Sequence, residues 1–267
     1  MSCTRTHSAL VSASLLCVVA PCVAHAQQAP WYQVNYVQVR PELLTEYLEI
    51  QKNEVTPALQ KAGVPWRSAW RTGEFGHTYE RVFVTPIAHF AEFDLGGPLG
   101  RALDPRKLER LQDRLRRCTA GRQSYAVRYR PDLSVESESA VERSIAVVTT
   151  FQVAPGRAAE WERFLTGNLA NFREADVIFG IYQRMFGPGP SVWQIVENLT
   201  SYGELERPRI LARMLAEADA EASLFAGLVL SIERTVLVYD PDLSYRQIPT
   251  STEDSGRTAR PLVSPQP

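Results

Sequence analysis

With 267 residues, 45% of them hydrophobic and 22% charged, the chain holds enough apolar material to pack one large domain or two small ones. Its 29 basic and 30 acidic residues nearly cancel, at a net charge of -1. Such a balance provides no bulk attraction to nucleic acid or to an anionic membrane, so neither is expected as a partner.

Residues 1–26 read as an export signal. Arg5 lies in a short basic region, an apolar stretch follows from Ala9 to Ala20, and Ala24-His25-Ala26 forms a small-x-small cleavage pattern ahead of Gln27. The apolar stretch is shorter than the roughly 20 residues a spanning helix needs. The expectation is therefore a secreted or periplasmic protein cut after Ala26, without a stable membrane anchor. Cys3, Cys17 and Cys22 belong to this segment, and Pro21 beside Cys22 is a poor match to a lipid-modified cysteine. Cys118 stays alone at the end of the helical spacing Leu108, Leu111, Leu115, Cys118. It reads as a small buried hydrophobe; with no internal disulfide available, stability rests on the core.

Tyr32 to Val39 is a β-rich run ended by Pro41, which suits the first turn of a helix carrying Leu44, Tyr47, Leu48, Gln51 and Val55 at helical spacing until Pro57 disturbs it. Trp66 to Thr72 and Tyr79 to Thr85 read as a hairpin turning between Gly73 and Gly76. Asp104-Pro105 signals a helix start, Gly121 lies past its end, and Ser124 to Arg130 is a last strand. The order is βαββαβ.

A polar, acidic stretch from Val135 to Arg143 reads as a linker. Beyond it the same order returns: a strand from Ile145 to Val153, a helix with Trp161, Phe164, Leu165, Leu169 and Phe172 on one face, and a hairpin of Ile178 to Met185 with Val192 to Glu197. A helix opening at Pro208 and a strand from Arg234 to Tyr239 complete it. Residues 245–267 are a Ser/Thr/Pro/Arg-rich tail with too little apolar surface to fold.

The two series end alike, in YRPDLS (Tyr129 to Ser134) and YDPDLS (Tyr239 to Ser244), at an offset of 110 residues. Val39-Arg40-Pro41 and Val153-Ala154-Pro155 stand 114 apart. The mature chain thus reads as a tandem duplication, with repeats over 32–134 and 144–244. Each βαββαβ unit is a ferredoxin-like α+β fold, a four-stranded antiparallel sheet with both helices on one face. The bare faces, carrying Val34, Tyr36 and Gln38 in one repeat and Val148, Thr150 and Gln152 in the other, suit mutual packing, with Tyr36 at the middle.

VQVRPELLTEYLEI and FQVAPGRAAEWERFL, the hairpins, and the segments RVFVTPIAHFAEFD and WQIVENLTSYGELE resemble the dimeric α+β barrel superfamily and, within it, NIPSNAP-type proteins, over about residues 32 to 244. The resemblance implies two sheets closed into a barrel with the helices outside. A duplicated chain is expected to close that barrel within itself, as a monomeric pseudo-dimer or a homo-oligomer of such units.

Chemistry-bearing motifs are sparse. His77 and His89, the two histidines after the signal, form no His-x-x-x-His pair, and no cysteine cluster, Gly-rich phosphate loop or Gly-x-Ser-x-Gly occurs. No metal and no cofactor are expected. Haem-degrading members of the superfamily use an asparagine, a tryptophan and a histidine; Asn35, Trp66 and His77 match in type, but the last two flank the second strand instead of lying on a third strand and second helix, so that activity is not carried over. What remains is an aromatic and polar concentration on the strands: Asn35, Tyr36, Trp70, Arg71, Tyr79 and Arg81 in the first repeat, and Tyr182, Arg184 and Trp193 in the second. Tyr47 and Trp161 recur at one point of an apolar helix face and read as packing. Trp70, Arg71 and Tyr79 point to a pocket, because a strand arginine among aromatics needs a partner if buried, and a bound carboxylate or enolate is one. Three functions stay open: binding of a small apolar or aromatic ligand, cofactor-independent oxygenase or isomerase chemistry on an aromatic or polyketide-like substrate, and a structural role without a ligand.

Overall fold

The computed structural model describes residues 30–136, 144–174, 178–187, 191–207, 209–210, 212, 214 and 227–247. The expected export signal, most of the linker, most of the helix opening at Pro208 and most of the tail lie outside the described residues.

The first strand, β1 (Trp31–Val39), alternates cleanly: Tyr32, Val34 and Tyr36 face one side, Val37 and Val39 the other. A helical run follows, made of α1 (Leu44–Ile50), a π-helical turn over Gln51–Val55 and α2 (Thr56–Lys61). Pro57 does not end this run. A proline lacks an N–H and its ring crowds the carbonyl a turn earlier; the widened turn just ahead of it absorbs that conflict and leaves Gln51 and Val55 buried.

The hairpin of β2 (Trp66–Thr72) and β3 (Glu80–Ile87) comes next, then a 3-10 turn over Phe90–Leu95 and the short α3 (Gly97–Ala102). Helix α4 (Pro105–Cys118) starts as its sequence signals: the Asp104 Oδ1 accepts the Lys107 N–H at 2.9 Å and Pro105 fills the first position. The strand β4 (Thr119–Tyr129) follows directly, so Gly121 lies inside it. The second half contributes β5 (Ile145–Val153), α5 (Ala158–Glu174), β6 (Gly180–Phe186), β7 (Val192–Leu199) and β8 (Val229–Tyr239).

All eight strands pair antiparallel in the order β3-β1-β4-β6-β7-β5-β8-β2, and β2 pairs with β3 to close an α+β barrel. Strands β1 to β4 run in the order β2-β3-β1-β4, and β5 to β8 in the matching order β6-β7-β5-β8. A short β9 (Tyr245–Arg246) adds to β2 through Arg67↔Tyr245 and Trp66↔Arg246, extending order past Ser244.

The recurring PDLS motif fastens one half to the other. Ser134 Oγ donates to the Arg130 carbonyl and accepts the Ile181 N–H of β6 at 2.9 Å. Ser244 Oγ donates to the Asp240 carbonyl and accepts the Ala69 N–H of β2 at 2.8 Å. The leucine ahead of each serine crosses over as well. Leu133 packs in the helix-side core of the second half with Trp161 and Phe179, and Leu243 packs in that of the first half with Tyr47 and Ile50. Charges also cross, as Arg130 meets Glu162 of α5 at 2.9 Å and Asp240 meets Arg81 of β3 at 3.6 Å.

Four apolar clusters result among the described residues: one under the helices of each half, one inside the barrel, and a smaller one of Ile145, Val147, Leu199 and Val236. Cys118 is fully buried in the first of them, with its thiol pushed up by that burial. Cys118→Ser should cost about 1 to 3 kcal/mol, since a hydroxyl replaces a buried thiol, and Cys118→Ala less. A melting temperature of the wild type that falls with reductant alone would contradict this inert role.

Candidate functional site

The barrel wall has two faces, and each borders a cavity in the first half or at the seam. On the outer face, between β1 to β4 and the helices, lies a cavity of about 280 Å³ whose apolar lining includes Tyr47, Leu59, Phe83, Phe93 and Leu99. Its charged lining residues are two arginines, Arg67 and Arg122, and no Asp or Glu is among them.

Arg67 is 4% exposed. Its Nη2 donates to Gln51 Oε1 at 2.5 Å and its Nη1 to Thr56 Oγ1 at 3.1 Å, while its guanidinium stacks 4.0 Å over the Phe83 ring. These partners are neutral, and among the described residues no carboxylate pairs with it. Burial consequently pulls its pKa down to about 10, against weaker support from Tyr47, Tyr245 and Asp240. Asp240 is already engaged 3.6 Å from Arg81, itself buried on the same outer face. Of these two buried guanidiniums, that of Arg81 has the carboxylate, and the π-helical turn before Pro57 supplies the buried Gln51 that holds that of Arg67.

The second half treats the matching positions differently. Register and clasp hydrogen bonds align Arg67 with Phe179 and Arg81 with Trp193, and the helix repeat aligns Gln51 with Leu165. Phe179, Trp193 and Leu165 are all buried in one apolar cluster with Trp161 and Phe172. The polar set of the first half is replaced there by packed hydrophobes.

The nine strand residues singled out from the sequence divide among three surroundings. Tyr36, Trp70, Tyr182 and Arg184 line the barrel interior. Asn35 lies on the outer face at the helix-side cavity, accepting from Arg122 Nη2 at 2.7 Å and Ser124 Oγ at 2.6 Å. Arg81 is paired to Asp240, and Trp193 is fully buried in the second helix-side core. Arg71 is exposed, and Tyr79 is 42% exposed in a left-handed turn conformation at φ 64. Asn35, Trp66 and His77 do not converge, since Trp66 packs in the barrel interior and His77 at its mouth.

Arg67 is the residue that strand reasoning passed over. Like Arg71, it follows a tryptophan within β2, four residues earlier and on the same face. The adjacent sequence is alike at the two; Arg67 is buried against Gln51 and Thr56 of the helical run, whereas Arg71 is exposed.

The second cavity, about 510 Å³, opens at the barrel mouth where β1 and β5 end. It is lined by Tyr36, His77, Glu80, Gln123, Tyr125, Arg184, Gln194 and Glu233, among others. Burial pushes the Tyr36 hydroxyl up to about 12, although Gln194 Nε2 donates to it at 3.3 Å.

No protein-family model matches the chain, and no curated protein matches it in sequence. Solved structures do. An anthrone oxidase-like protein superposes with a TM-score of 0.58 at 11% identity, covering 82% of this chain and 94% of that one. Two proteins named putative monooxygenase, from Lactobacillus acidophilus NCFM and Fusobacterium nucleatum subsp. nucleatum, superpose with TM-scores of 0.52 and 0.53 at 11% and 13% identity. They cover 82% and 83% of this chain and 97% and 100% of their own. Likenesses at this identity establish the α+β barrel fold. They also correct the narrower resemblance: the NIPSNAP-type assignment does not stand. It rested on hydrophobic patterns that any sequence building this barrel must carry.

Proposed function

We propose that the chain binds a small anionic molecule with an apolar or aromatic body in the helix-side cavity of its first half. The carrying observation is Arg67, a buried guanidinium with only neutral partners facing a cavity without acidic residues. A buried charge without a counter-charge is costly, and a ligand carboxylate or enolate would relieve that cost through charge-assisted hydrogen bonds. Phe83, Tyr47 and Leu59 would hold the apolar body.

Titration calorimetry with salicylate against neutral benzyl alcohol tests this. Salicylate should bind the wild type, and Arg67→Met should weaken it about 10- to 100-fold, the effect of losing a hydrogen-bonded charge. Equal affinity for the alcohol, or an unchanged affinity in a folded Arg67→Met variant, would overturn the reading. A second reading rests on the same guanidinium: a cofactor-independent oxygenase or isomerase would use it to stabilise an enolate oxygen. Its likeness in fold to an anthrone oxidase-like protein favours keeping that reading. Oxygen uptake with an anthrone, abolished by Arg67→Met, separates catalysis from binding alone.

The same proposal includes descent of the two halves from one duplicated unit. Their matching strand orders, the doubled PDLS clasps and the paired sequence offsets support it. Export is proposed from Ala24-His25-Ala26, with the mature protein beginning at Gln27. N-terminal sequencing of exported protein checks this, and a mature form retaining Cys22 with added lipid mass would contradict release. No helix among the described residues is long and apolar enough to cross a membrane.

A further inference from the structure

The barrel mouth is a separate place from the helix-side cavity, built from both halves, and its charges are sorted by side. Going round the closed sheet, β8 and β3 flank β2, whereas β4 and β6 are adjacent on the opposite wall. Glu233 and Glu80 line the cavity from β8 and β3, and Arg184 lines it from β6; Arg122 borders it from β4 but turns its guanidinium to Asn35 on the outer face. The guanidinium of Arg184 lies 3.6 Å over the Tyr125 ring. Neither Glu80 nor Glu233 has an ion-pair partner among the described residues. Burial pushes the Glu80 carboxyl above its usual range, opposed by His77 and aided by Glu233.

Past Tyr36, Val148 and Gln194 the mouth adjoins a small apolar chamber of about 40 Å³. Trp70 lines that chamber at 1% exposure, and its indole N–H has no acceptor among the described residues. The volume of the mouth falls in the range of small-molecule sites, about 300 to 1,000 Å³.

We infer that the barrel mouth is a second ligand site, for a small zwitterion whose ammonium group meets Glu80 and Glu233 and whose carboxylate meets Arg184 on the opposite wall. A dipolar cavity discriminates by charge arrangement. A lone anion meets the two glutamates and a lone cation meets Arg184, so a molecule carrying both charges is favoured over either.

The test is calorimetry on the full chain with two zwitterions of different charge separation, phenylalanine and 6-aminohexanoate, against hexylamine and hexanoate. At least one zwitterion should bind about tenfold or more tightly than the amine and the acid. Glu233→Gln, a change at an exposed strand position that the fold tolerates, should weaken it about tenfold, and Arg184→Gln likewise. Saturating salicylate should leave the zwitterion affinity unchanged. Absence of binding by both zwitterions, equal binding of hexanoate or hexylamine, insensitivity to Glu233→Gln, or displacement by salicylate would each overturn the site; only the last would implicate the Arg67 cavity.

Discussion

Residues 27–138 expressed alone should not give a folded monomer. That fragment lacks Leu243, which fills its helix-side core, and the strands that flank β4 and β2 at the two seams. Worse, Tyr32, Val34, Trp70, Val82, Val127 and Tyr129, which pack in the barrel interior, would face water on a single open sheet. Each such side chain contributes about 1.5 to 3 kcal/mol when buried, against a total stability of about 5 to 15 kcal/mol for a domain. The fragment should aggregate, or pair with a second copy whose own 131–134 segment imitates the missing clasp. Size-exclusion chromatography with circular dichroism decides the matter. A soluble, cooperatively melting monomer would show that the seams are dispensable and would sink the interdependence of the halves.

Charge introduced along the barrel axis should be tolerated in proportion to its distance from the closed centre. Ala146 is 1% exposed on β5 and surrounded by the interior cluster, so Ala146→Asp places a carboxylate where it finds no counter-charge. A loss of about 3 to 5 kcal/mol is expected, lowering the melting temperature of both halves together. Tyr36 stands at the polar mouth, beside Gln123 and Gln194, and is only partly buried. Tyr36→Asp should cost less, about 1 to 2 kcal/mol from lost ring burial. Thermal melts of the two variants compare them directly; equal destabilisation would mean that the interior is not graded from a polar mouth to an apolar centre. The comparison also revises the placement of Tyr36 at the middle of the packed face. Period-two alternation assigns a side chain to a face but says nothing of its height in a barrel that closes by stagger.

Much of the frame was legible without coordinates, because it depends on local chemistry. Alternation assigned Tyr32, Val34 and Tyr36 to one face; Asp104 and Pro105 marked a helix start; two PDLS endings 110 residues apart mark the two serine clasps. Pro57 does disturb the helix, through the widened turn ahead of it, but the run resumes to Lys61 with Val55 and Leu59 packed in the core. The degenerate hydrophobic patterns specified the barrel and overreached when read as a NIPSNAP-type assignment.

The sites were decided elsewhere. Which strand arginine is buried depends on the helical run that covers it, as Gln51 and Thr56 cover Arg67, so Arg67 and Arg71 look alike in sequence yet are opposite in environment. Whether a half carries a buried polar set depends on residues far apart in the chain, Gln51, Arg67 and Arg81 in one and Leu165, Phe179 and Trp193 in the other. The charge-sorted mouth exists only once β3 and β8 come to flank β2 and β4 meets β6. Periodicity along a chain reports which side of a strand is apolar; the burial of one charge and the facing of another are set by non-local contacts that only the closed barrel brings together.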